Sequence, residues 1–151
     1  AVQGNALAQF NLGYMYDSGR GVPQDVVQAV KWFSLAADQG YAPAQNNLGW
    51  MYKKGKAVPK DDIQAAKWYR LAADQGVADA QNNLGAMYDR GEGVLRDLVQ
   101  AYMWFSLAAA QGSDLGKQNK NLLLKRYFSN RMTPQQIAEG EELARNWKPK
   151  K

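Results

Sequence analysis

One pattern of residues is written three times in this chain, each copy 36 positions from the last. The middle copy reads Gly40, Ala44, Leu48-Gly49, Tyr52, Gly55, Val58-Pro59, Asp61, Ala65, Trp68-Tyr69, Ala72-Ala73 and Gln75. Before it stand Gly4, Ala8, Leu12-Gly13, Tyr16, Gly19, Val22-Pro23, Asp25, Ala29, Trp32-Phe33, Ala36-Ala37 and Gln39. After it come Gly76, Ala80, Leu84-Gly85, Tyr88, Gly91, Val94, Asp97, Ala101, Trp104-Phe105, Ala108-Ala109 and Gln111, with Leu95 in the place of Pro59. A fixed period of this length describes small units that bury their apolar faces on their neighbours, rather than one closed core.

Each copy predicts two helices. In the first copy, Ala8, Leu12, Met15 and Tyr16 form a stripe with spacings of three and four over 5–17. Gly19 follows where a helix end often turns left-handed. The second helix starts at Asp25, with Gln28 three residues on; Asp61-Gln64 and Asp97-Gln100 repeat the arrangement, which resembles a capping box. Ala29, Trp32, Phe33, Ala36 and Ala37 then mark its apolar face, and Gly40, Gly76 and Gly112 mark where the second helices stop. Gly13, Gly49 and Gly85 lie inside helices, where each costs about 1 kcal/mol relative to alanine. Their repetition predicts close helix approach, with the aromatic pair of the second helix as partner and Trp32, Trp68 and Trp104 in the core.

The same residues carry a resemblance. Leu-Gly-x-x-Tyr, the glycine and aspartate that follow, and the Trp-aromatic-x-x-Ala-Ala ending are similar to the Sel1-like repeat family, relatives of tetratricopeptide repeats. The resemblance covers 4–111 and implies a right-handed α/α superhelix whose first helices line a concave side used for binding or scaffolding. Residues 1–3 then read as the end of a preceding segment, with repeats at 4–39, 40–75 and 76–111. From 112 to 151 the pattern decays, Lys120 and Asn121 replacing the leucine and glycine. Leu122-Leu123-Leu124 and Tyr127-Phe128 still mark an apolar helix. Thr133-Pro134-Gln135-Gln136 opens a last one, with Ile137, Ala144 and Trp147 on one face and Glu141-Glu142 towards another. This pair is expected to be a degenerate C-terminal cap, ending in a frayed basic tail, and Gly140 is expected to weaken its helix. The start at Ala1, without methionine or a matching N-terminal cap, suggests a processed chain or a fragment.

Composition narrows the chemistry. There is no cysteine and no histidine, which removes disulfides, histidine triads and His/Cys zinc sites. No apolar run approaches the ~18 residues of a membrane span. The net charge of +5 is concentrated after Gly116, and a basic end could touch nucleic acid or anionic lipid. Gly19-Arg20-Gly21 and Gly91-Glu92-Gly93 look like nucleotide loops, but each falls in an inter-helix turn with no strand before it.

Positions where the copies diverge on the first helices are free for recognition. Alignment with the tetratricopeptide pattern places Phe10, Asn11, Tyr14, Asn46, Asn47, Trp50, Lys53, Asn82, Asn83 and Arg90 on the concave side or its rim. Trp50 beside Tyr14, flanked by asparagines, has the character of a peptide groove: an aromatic anchor with amides for a ligand backbone. Alternatively the asparagines only join neighbouring helices and Trp50 packs between units. The carboxylate clamp of some tetratricopeptide domains is incomplete, since Leu7, Phe10, Pro43 and Asp79 stand where lysines are expected.

The expectation is a monomeric, non-catalytic adaptor for a protein or peptide, needing no metal or cofactor, with nucleic acid not expected as a partner. Two alternatives are an enzyme inhibitor or regulator on the same scaffold, and a binder of anionic surfaces through the C-terminal segment. The resemblance favours a bacterial periplasmic or secreted setting.

Overall fold

The computed structural model describes residues 2–127 and 132–150; Ala1, Phe128 and Lys151 lie outside them. Among the described residues the chain is all α, with eight helices and no strand: α1 Val2–Ser18, α2 Val26–Asp38, α3 Ala42–Lys54, α4 Asp62–Asp74, α5 Ala78–Arg90, α6 Leu98–Ala110, α7 Asp114–Tyr127 and α8 Pro134–Asn146. Two compact units divide it, Ala1–Ala72 and Ala73–Lys151.

Hairpin closure follows one recipe. Gly55 (φ 68°) ends α3, and Lys56 N–H reaches back to the Met51 carbonyl at 3.0 Å, as Arg20 and Glu92 do to Met15 and Met87. At the next left-handed position repeats 1 and 3 have glycine, whereas repeat 2 has Ala57 at φ 59°. The two Gly-x-Gly sequences are therefore turn geometry. The aspartates cap the second helices as expected: Asp25, Asp61 and Asp97 Oδ1 each accept the N–H three residues on at 3.0 Å. The reciprocal half of a capping box is excluded, because each aspartate's own N–H already donates to the Tyr16, Tyr52 or Tyr88 carbonyl at 2.9–3.1 Å. Thr133 has the full box, with the Gln136 side chain accepting its N–H at 2.9 Å.

In the first unit, the core joins Phe33, Ala36, Ala37, Ala44, Leu48 and Met51, with Phe10, Tyr41 and Trp68 packed against it. The interior glycines do admit a close approach. A Cβ on Gly13 would lie 2.7 Å from the Phe33 ring. Of each aromatic pair, it is the second member that faces the glycine and is buried: Phe33, Tyr69 and Phe105. Neighbours on a helix diverge by ~100°, so the tryptophan beside it looks elsewhere. Trp32 and Trp68 are accordingly half-buried, and only Trp104 is fully enclosed.

Buried glutamines tie one hairpin to the next. Gln45 Nε2 donates to the Ala37 carbonyl at 3.1 Å; in the second unit Gln81 Nε2 donates to Ala73 at 3.2 Å and Gln81 Oε1 accepts from Gln111 at 2.6 Å.

The second unit departs from expectation at its C-terminal end. Gly140 does not mark a weak point: it is buried, and a Cβ there would come within 2.8 Å of Tyr102 Cδ1. Glu141 accepts a hydrogen bond from Tyr102 at 3.1 Å. Burial and that carboxylate push the Tyr102 hydroxyl up to about 12. Among the described residues the tail is not frayed but held as far as Lys150. Trp147 meets Trp104 edge-on at 6.4 Å, Lys150 N–H donates to the Asp74 carbonyl at 2.7 Å, and Lys150 Nζ pairs with the Asp74 carboxylate at 2.7 Å.

Candidate functional site

Tyr14 on α1 and Trp50 on α3 occupy the same place in consecutive repeats, and both project into solvent, 48% and 42% exposed. Large aromatics in a small domain normally go inside, so two equivalent ones left out carry information. Each has a cation over its ring from the turn that ends its own helix. Lys56 Nζ lies 5.2 Å from the Trp50 ring centre, and the Arg20 guanidinium lies 6.0 Å from that of Tyr14. Both distances are within the ~6 Å reach of cation–π attraction. Lys56 is also held by Asp17 of the preceding repeat, Nζ to Oδ1 2.6 Å. The lysine thus lies between a carboxylate and an indole face, a contact worth about 0.5–1 kcal/mol to this orientation of the ring.

The remaining candidates separate by what their side chains already do. Asn11 is exposed and Asn47 half-buried on the same two helices. Phe10 is taken up by packing, 5.5 Å from the Phe33 ring and 5.2 Å from Tyr41. Lys53 pairs with Asp62 at 3.1 Å. Asn46 Oδ1 is shut off from solvent with no hydrogen-bond partner among the described residues. In the second unit Asn82 is buried and accepts from Asn119 Nδ2 at 2.8 Å, so this amide joins two helices. Asn83 is half-buried, and Arg90 is exposed with Glu92 at 3.9 Å. That third repeat has Ala86 in the aromatic's place and Glu92 in the cation's. The aromatic–cation pair therefore belongs to repeats 1 and 2.

Arg20 and Lys56 lie outside the set of site residues expected from the sequence. The signal was present: both members of the pair change together, Tyr-Arg and Trp-Lys becoming Ala-Glu. Chemically, the arrangement offers an apolar ring surface, positive charge and amide groups. The perturbed hydroxyls, Tyr69 and Tyr102, are raised chiefly by burial and lie outside this set. Among the described residues no group of three or more Asp or Glu side chains is arranged to hold a metal, and no helix is long and apolar enough to cross a membrane.

Helical hairpins at a fixed period, closed by glycine turns and aspartate caps, define an α-helical repeat protein. The Sel1 repeat model matches residues 6–41, 42–77 and 78–113, and the chain belongs to the Sel1 repeat family. Among solved structures, it is similar to a Sel1 repeat protein from Oxalobacter formigenes, 41% identical over 78% of this chain and 89% of that one, with a TM-score of 0.74. It also resembles c5321, a protective antigen of uropathogenic Escherichia coli with an SLR fold, at 42% identity and TM-score 0.79. That match covers 93% of this chain but 29% of the antigen. Helicobacter pylori cysteine rich protein B is 26% identical, with a TM-score of 0.64 over 75% of this chain and 87% of its own. No curated protein sequence matches the chain. Sel1 repeats build non-enzymatic scaffolds commonly used for protein interaction, and the solved relatives are bacterial solenoid proteins.

Proposed function

We propose that this chain is a non-catalytic adaptor that binds a segment of another protein on the first-helix face of repeats 1 and 2. The observation that carries the reading is the exposed pair Tyr14 and Trp50, each with its cation in place. An indole held by Lys56 loses little freedom on binding, so an apolar partner side chain seated on it gains most of the contact area at low entropic cost. Asn11 and Asn47 supply amide groups beside it. Arg20 and Lys56 favour a ligand with acceptor or acidic groups next to its apolar anchor.

A peptide library displayed on phage and selected on the intact chain tests this. Selected peptides should share an aromatic or large aliphatic residue near an acidic one. Trp50→Ala should weaken them about tenfold or more, as loss of an interface anchor does, while leaving the thermal melt nearly unchanged. Binders that ignore both Trp50→Ala and Tyr14→Ala would refute the site.

A further inference from the structure

In the second unit the C-terminal residues form a strap. Past α8 the backbone is extended at Trp147 (φ −67°, ψ 138°) and runs to the end of α4. There Trp147 and Pro149 lie over Gly76, 3.7 and 3.9 Å from where a Cβ would stand, and Lys150 is bonded to Asp74 twice. Trp104, which Trp147 meets edge-on, is 1% exposed, and the Asp74 side chain is 13% exposed; Leu107, on the same helix as Trp104, is 8% exposed.

The repeat writes the same acceptor residues one period earlier. Asp38, Gly40, Trp68 and Leu71 correspond to Asp74, Gly76, Trp104 and Leu107, and all four lie within the first unit. Gly40 has the same left-handed turn as Gly76, φ 84° against 92°. Yet a Cβ on Gly40 would meet no atom within 4 Å, Leu71 is 46% exposed, and Trp68 is half-buried. Asp38 is exposed, and its carboxylate carries no ion pair or hydrogen bond among the described residues. A chain has one strap and two acceptor sets, and every member of the earlier set is the more exposed.

We propose that Asp38, Gly40, Trp68 and Leu71 dock an extended basic segment of a partner protein. That segment shares the strap's chemistry: an aromatic residue followed two positions on by proline and three on by lysine. Lysine would pair with Asp38, the proline would lie on the exposed Gly40 turn, where a Cβ would find open space, and the aromatic ring would cover Trp68. The chain's own strap is a poor candidate for this role between copies. It is tethered beside Asp74, and an intramolecular contact holds it at a high effective concentration. This site is on the second helices and is independent of Tyr14 and Trp50.

The probe is a labelled synthetic peptide of residues 143–151, titrated into the intact chain and followed by fluorescence anisotropy. One peptide should bind per chain, and Asp38→Lys should weaken it by about tenfold or more, through loss of a charged hydrogen bond and gain of a like charge. A lysine at the end of α2 is favourable to the helix dipole, so this variant should keep its melting curve. Replacing Trp147 by alanine in the peptide should weaken binding comparably. Absence of saturable binding, or binding indifferent to Asp38→Lys, overturns the proposal. A molar mass that rises with concentration, and ceases to do so when the chain is cut after Asn146, would make a second copy the occupant and overturn the partner assignment.

Discussion

Gly49 on α3 lies so close to Tyr69 on α4 that a Cβ on the glycine would stand 2.6 Å from the ring's Cδ1. Phe105 meets Gly85 in the same way at 2.8 Å. Gly49→Ala should therefore destabilise the protein by about 1–3 kcal/mol, the range for overpacked cores, although alanine is the better helix former by ~1 kcal/mol. Urea unfolding measures this. Equal stability of mutant and parent would mean the two helices part without cost, and the glycines would need another explanation.

Ala57 tests the turns. It holds φ 59°, where the other two repeats have glycine. A left-handed alanine is strained by ~1–2 kcal/mol, and glycine recovers this less the ~0.4–1 kcal/mol of freedom it adds to the unfolded chain. Ala57→Gly should raise the melting temperature slightly. A fall would show that the alanine conformation is unstrained in its setting.

The strap should matter more through its tryptophan than its charge. Cutting the chain after Asn146 uncovers Trp104 and should cost about 2–3 kcal/mol, the worth of burying a large apolar side chain. Asp74→Asn should cost under about 1 kcal/mol, since Lys150 is 74% exposed and solvent screens the pair. Paired thermal melts decide; a larger loss from Asp74→Asn than from truncation would reverse the ranking.

Alkaline pH offers a separate reading of the core. In the fold Tyr102 is raised from 10.0 to about 12, by burial first and then by Glu141, and burial raises Tyr69 as well. The unfolded chain releases these protons at lower pH than the native one. Their contribution to stability is thus intact below pH 10; that of Tyr102 is lost as pH climbs from 10 towards 12, and that of Tyr69, raised further by burial, at higher pH still. Glu141→Gln should lower the Tyr102 value and move its ultraviolet tyrosinate transition to lower pH. An unmoved transition would leave burial as the sole cause.

The hairpins, their caps and their stops were legible in the sequence because each rests on local spacing repeated three times. Side-chain destinations were less so. Adjacent aromatics such as Trp68 and Tyr69 look interchangeable in a list of apolar positions, yet only one can face Gly49. Asn82 and Asn47 are the same residue type in the same stretch, but Asn82 is bonded to Asn119, a partner 37 positions away. The tail misled for a related reason. A stretch rich in lysine and proline reads as solvated until Asp74, far upstream, supplies Lys150 with both a carbonyl and a carboxylate. Gly140 looked like a defect because its neighbour Tyr102 is not near it in the chain.

Each turn closes by a bond whose two ends lie in the same repeat, Tyr16 to Asp25, Tyr52 to Asp61 and Tyr88 to Asp97. The glutamine that crosses a junction reaches only eight residues back, Gln45 to Ala37 and Gln81 to Ala73. Excising residues 40–75 would bring Ala37 and Gln81 into that same eight-residue relation and leave the outer two turns whole. A gene built this way can lengthen or shorten by whole repeats through unequal recombination without stranding a buried donor, so copy number is free to drift while the junction chemistry stays fixed.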